Sequence, residues 1–185
     1  QEQTVSEVLS GAPPTLLIGE HPPTITLGTS AEAKDVLQPE GFQVLKTGRG
    51  GQVTLHNAGQ LVAYPIIDLR QHKQDIRWYV RTLQDIIVKT LSDFGVEGKI
   101  TDDIGVWVNV NGTDKKIAAI GIRIRKWVTF HGLALNVNNN LDDFNRIIPC
   151  GITEKGITNL KGLGIEASVA DVQKKLIYHI QKTFT

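Results

Sequence analysis

The chain has 185 residues, of which 41% are hydrophobic and 21% charged, with a formal net charge of +1. This composition suits one domain, residues 1–185, around a single core, and gives no electrostatic reason to expect nucleic acid or a membrane surface as partner. No apolar run approaches the roughly 20 residues needed to cross a bilayer. The start, Gln1-Glu2-Gln3-Thr4, has no signal-peptide pattern, and the chain has one cysteine, which together point to a reducing, cytoplasmic setting. Methionine is absent, an initiator included, so the start is expected to be trimmed.

Pro13-Pro14 and Pro22-Pro23 bracket a strand expected over 15–20, and a second is expected over 24–28. Residues 31–42 are polar and irregular. The β-branched runs 43–47, 52–56 and 61–69, separated by glycine loops, read as strands of one sheet. Ile76, Val80, Leu83, Ile87, Leu91 and Phe94 recur at helical spacing, predicting a helix over 73–94 with Gly95 as its left-handed cap. Strands follow over 104–110, 116–125 and 127–137, the first two joined by a turn at Asn111-Gly112. A short helix is expected near 141–145. The last helix spans 169–184, with Ser168 as N-cap and Asp171 as the acidic third residue. Strands and helices do not alternate, so the fold class is α+β, a mixed β-sheet with flanking helices. Arg123, Arg125 and Lys126 alternate with Ile122, Ile124 and Trp127, which fits a solvated strand face as well as a binding patch.

Four segments can carry chemistry. Gly48-Arg49-Gly50-Gly51 is either a sharp strand connection or a backbone cradle for anionic oxygens; it matches neither a Walker A loop nor the dinucleotide fingerprint. His21, His56, His72, His131 and His179 lack the short spacings of a zinc site, and no metal is expected. Lys116 directly precedes the apolar run Ile117-Ala118-Ala119-Ile120. On a surface it is solvated; turned inward, it becomes a usable base near neutrality. Cys150, in Ile148-Pro149-Cys150-Gly151-Ile152, is either an inert core residue or a reactive thiol.

Taken together, these segments resemble a known family. Arg49-Gly50-Gly51-Gln52-Val53-Thr54-Leu55-His56, continued by Gly59-Gln60-Leu61-Val62-Ala63-Tyr64-Pro65, resembles the signature of the octanoyltransferases of lipoate biosynthesis. Lys116 to Gly121, Phe130 to Val137, Ile148 to Ile152 and Glu20-His21-Pro22-Pro23 resemble further segments of that family, in its order. One loop departs. The family reads Tyr-His-Gly-Pro-Gly-Gln where this chain has Leu55-His56-Asn57-Ala58-Gly59-Gln60, so the aromatic, one glycine and the proline are replaced.

The resemblance implies a fold related to biotin protein ligases and lipoate ligases. It implies transfer of an octanoyl group from octanoyl-acyl carrier protein to a specific lysine of lipoyl domains of 2-oxoacid dehydrogenases or of glycine-cleavage H protein, without a cofactor. It implies Cys150 as acyl-thioester nucleophile and Lys116 as its acid/base partner. Arg49 to His56, Ala119, Ile120 and Gly121, and Gly132, Leu133 and Ala134 would line the acyl site. Burying six or seven methylenes at about 0.8 kcal/mol each is worth roughly 5 kcal/mol, so apolar lining from Ile117–Ile122 and Leu133–Leu135 is expected. The alternatives are an ATP-dependent lipoate–protein ligase on the same fold and a non-catalytic module that binds lipoyl domains or acyl groups.

Overall fold

A computed structural model describes residues 1–148 and 156–185. Its elements are α1 (Glu2–Leu9), β1 (Thr15–Gly19), β2 (Thr24–Leu27), β3 (Gln43–Lys46), β4 (Val53–His56), β5 (Gln60–Ile66), α2 (Ile76–Ser92), β6 (Val106–Val110), β7 (Thr113–Arg125), β8 (Val128–Asn136) and α3 (Val169–Phe184). A short 3₁₀ helix at Leu141–Arg146 stands where a short helix was expected.

The strands divide between two sheets, which corrects the reading of residues 43–69 as one. β1-β5-β8-β7-β6 form an antiparallel sheet, and β3-β2-β4 form a smaller one in which β2 and β3 run parallel. β3 and β4 take both edges of β2, and β5 joins the other sheet between β1 and β8. The connection Asn57–Gly59, with Gly59 at φ +87°, makes that crossing. The fold class is α+β, mixed sheets with flanking helices.

Each helix is explained by what its apolar face buries. α2 starts at Ile76 because the Asp75 carboxylate accepts the Trp78 amide hydrogen at 3.0 Å. Its buried stripe is Tyr79, Leu83, Ile86, Ile87 and Leu91, while Ile76 is 51% exposed, so the stripe is turned from the expected one. Gly95, at φ +73°, and Val96 close the helix by donating to Ser92 and Leu91. α3 begins with the expected capping box of Ser168 and Asp171. Both helices cover one face of the large sheet and share its core with Leu61, Ala63, Ile117, Ala118, Leu133 and Leu135. α1, which the sequence did not announce, packs Val5 and Val8 on the opposite face against Ile66, Val128 and Phe130. The small sheet closes its own core with Ile25, Val53, Leu55, Phe144 and Ile147. Among the described residues, no helix is long and apolar enough to cross a membrane.

Candidate active site

Lys116 reaches the site because β7 carries a bulge. The β6–β7 register runs from Val110↔Thr113 to Trp107↔Lys116, then jumps to Val106↔Ala118 and leaves Ile117 without a partner. Ile117 and Ala118 both enter the helix-side core, fully buried. Lys116 therefore emerges on the face of Trp107, with Nζ 4.7 Å from the ring centroid, a cation–π contact. Gly105 makes room behind it. A β-carbon there would lie 2.7 Å from the Ala118 carbonyl oxygen and 3.1 Å from Lys116 Cε. The backbone of Lys116 is held by Gly156 and Thr158, at 3.1 and 2.9 Å. Cys150 falls within 149–155, outside the described residues. Its segment leaves the described chain at Ile148, whose amide donates to Asp35, and rejoins it at Gly156, beside Lys116.

Beyond the bulge, alternation sorts β7 and β8 by size. Ile120, Ile122, Leu133 and Leu135 face the helices and are spent on that core. Of the apolar lining expected from Ile117–Ile122 and Leu133–Leu135, the large side chains thus turn toward the helix layer. The other face carries cross-strand pairs of small residues, Gly121↔Gly132 and Ala119↔Ala134, continued by Val62 opposite Ala134. A β-carbon on Gly132 would run into the Ala63 carbonyl, and one on Gly121 would come within 3.0 Å of the Gly50 carbonyl oxygen. The Arg49 loop thus lies directly on this floor, and the Gly50 amide donates to the Ile122 carbonyl at 2.9 Å.

Arg49 is folded back rather than projecting. Its Nη2 donates to the Thr26 carbonyl at 2.6 Å and to Thr26 Oγ1 at 2.9 Å, and its Nη1 donates to the Gly50 carbonyl at 3.0 Å. The guanidinium braces the loop across to β2. Val53 and Leu55 face the small core, Gly51 and Gln52 are exposed, and Thr54 sits opposite Thr26. His56 comes next on the face of Thr54.

From His56 a row of polar rings crosses the site. The His21 ring centre is 5.6 Å from that of His56, and His21 Nε2 is 2.7 Å from the Tyr64 hydroxyl. The His131 ring stands edge-on to Tyr64 at 6.5 Å. Burial pushes His56 and His131 down to about 4, lowers His21, and pushes Tyr64 up to about 12. All four rings are therefore neutral at pH 7.

The chain is similar to known proteins in sequence and in fold. The lipoyl protein ligase A/B catalytic domain model matches residues 1–181. An octanoyltransferase of Rhizobium etli (strain CIAT 652) is 46% identical over 185 residues, covering 95% of this chain and 77% of its own. One from Parvibaculum lavamentivorans is 47% identical over 189 residues, covering 99% and 82%. The chain belongs to the lipoyl protein ligase A/B family, among its octanoyltransferases. It is accordingly an acyltransferase of lipoate biosynthesis. In fold it is similar to a bipartite lipoate protein ligase of Thermoplasma acidophilum, with a TM-score of 0.78 at 20% identity over 94% of this chain and 72% of that one. It is more distantly similar to the biotin protein ligase of Aquifex aeolicus, with a TM-score of 0.58 at 17% identity over 87% and 69%.

The loop that departs from the family pattern is held by hydrogen bonds. Asn57, 5% exposed, donates to the Asn140 carbonyl at 2.9 Å and to Asp143 Oδ2 at 2.8 Å, and accepts from Asn139 Nδ2 at 3.1 Å. Glu20 Oε2 accepts the Gly59 amide at 2.6 Å. Side-chain bonds here do the work of a proline. Leu55, in the family's aromatic position, is fully buried in the small core. Sequence reasoning assigned no role to Trp107, Gly105, His21, Tyr64 or Asn136. His21, Tyr64 and Asn136 lie in segments that resemble the family's, and nothing local marks Trp107 or Gly105.

Proposed function

We propose that the chain takes an octanoyl group from octanoyl-acyl carrier protein, holds it as a thioester on Cys150, and delivers it to a specific lysine of lipoyl domains or glycine-cleavage H protein. Lys116 is the acid/base group. The observation that carries this reading is the bulge at Ile117, which turns Lys116 out of the core and onto the face of the small residues, with its backbone bonded to Gly156 and Thr158, just after the Cys150 segment. The Cys150 thiolate attacks the acyl carbonyl, the C–S bond to the carrier breaks, protonated Lys116 gives its proton to the departing carrier thiolate, and one thioester replaces another, so no ATP is needed. The acceptor amine then forms the amide bond, expels the Cys150 thiolate and gives up its proton to Lys116. Ala119, Gly121, Gly132 and Ala134 form the floor under the acyl chain, and Arg49 to His56 its wall.

Intact-mass measurement tests the reading directly. Incubation with octanoyl-acyl carrier protein adds one octanoyl mass to the wild type and none to Cys150→Ala. Lys116→Ala folds normally and loses turnover by about 10²- to 10⁴-fold. Full activity in Cys150→Ala would end the thioester mechanism.

A further inference from the structure

A chain of amides ends on His56, and its direction is fixed at two backbone carbonyls. The Thr158 carbonyl only accepts, so the Asn136 atom 3.1 Å from it is the donor Nδ2. Asn136 Oδ1 then faces Gln60 at 2.9 Å, and the Gln60 atom there is Nε2, which also donates to the Leu55 carbonyl at 3.2 Å. Gln60 Oε1 is left pointing at His56 Nδ1, 2.7 Å away. An amide oxygen only accepts, so Nδ1 carries the hydrogen of the neutral ring and Nε2 keeps the lone pair. No hydrogen bond to Nε2 is made among the described residues. The chain is anchored at the catalytic end as well, because the Thr158 amide donates to the Lys116 carbonyl at 2.9 Å. Gln60 is 2% exposed and Asn136 5%. Two buried amides with every polar atom engaged hold one ring in one tautomer.

The chemistry of the site says what that lone pair meets. An acyl thioester offers acceptors only at its reacting atoms. In the second half-reaction the attacking amine is the donor. We propose that Gln60 and Asn136 are positioning residues that present His56 Nε2 as hydrogen-bond acceptor to the ε-amine of the acceptor lysine, orienting its lone pair toward the thioester carbonyl. The proposal rests on the function proposed above. As the N–C bond forms, the C–S bond breaks, Cys150 leaves as thiolate, and the amine's proton passes to Lys116. His56 keeps its single hydrogen throughout. Burial, which makes the ring hard to protonate, supports a role as acceptor rather than proton store.

The test has two readouts. Nitrogen-15 NMR of histidine-labelled wild type should show His56 with hydrogen on Nδ1, and Gln60→Met should lose that preference. In rapid-quench experiments with octanoyl-acyl carrier protein and a lipoyl domain, Gln60→Met should slow transfer from the acyl-enzyme at least about 10-fold more than it slows acyl-enzyme formation. Hydrogen on Nε2 in the wild type overturns the proposal without any variant having to fold. Equal slowing of both half-reactions also overturns it. Absence of an octanoyl adduct on the wild type sinks instead the thioester reading beneath it, a result the NMR measurement does not share.

Discussion

Asn57 stands where the family has a glycine, and it ties the β4–β5 connection to Asn139, Asn140 and Asp143. Its truncation takes a hydrogen bond from three partners, the buried Asn139 amide among them, which costs about 1–3 kcal/mol. Asn57→Ala should therefore lower the urea midpoint by an amount in that range, and the acyl-transfer rate should fall with it, because His56 and Gln60 flank the same loop. A variant as stable as the wild type would mean that Ala58 and Gly59 set the loop unaided. Arg49 teaches the same lesson from the opposite side. From the sequence its fork was open either to a ligand anion or to solvent. In the fold it donates to Thr26 and Gly50, which braces the wall of the site.

At the scale of elements, α3 shows what local sequence settles. Its start, end and buried face follow from Ser168, Asp171 and the spacing of Val172, Leu176 and Ile180. Ser168→Ala removes the cap and should cost about 1 kcal/mol of stability, read from denaturant unfolding. Turnover should stay unchanged, since α3 packs on the face of the large sheet turned away from the Arg49 loop. A fall in turnover at full folding would mean that the helix layer tunes the site. The β7 bulge shows the limit of such reading. A lysine followed by an apolar run is visible in the sequence, but which face it takes depends on the β6 partner, and the skipped residue exists only in the pairing. The Gln60–Asn136 contact joins residues 76 positions apart and had no local signal. α1 escaped for a different reason, because only Val5 and Val8 are buried in its eight residues. The division into two sheets was hidden because β-branched runs mark strands and not their neighbours.

At the scale of the whole molecule, the two sheets and α1 enclose rings that resist protonation, and this couples stability to pH. In the unfolded chain each histidine titrates near the ordinary 6.5; folded, His56 and His131 titrate near 4. Above 6.5 the rings are neutral in both states and the stability is fully present. As pH falls from 6.5 toward 4, the unfolded chain takes up protons that the folded protein refuses, so stability declines, by up to about 1.4 kcal/mol per pH unit for each ring. His56, almost wholly enclosed, should account for about 2 kcal/mol between pH 6.5 and 5. The less enclosed His131 adds a smaller amount after solvent screening. Asp68, Asp75 and Asp171 are held below the usual carboxylate range by the Arg70 side chain, the Trp78 amide and the Ser168 hydroxyl. Their contribution is lost only at lower pH, which leaves the window from 4 to 6.5 to the histidines. Urea unfolding across that window should show stability rising with pH, and His56→Gln should flatten the slope by about one proton. A slope unchanged in His56→Gln would mean that the His56 ring is open to water and that the site between the two sheets is wetter than its packing implies.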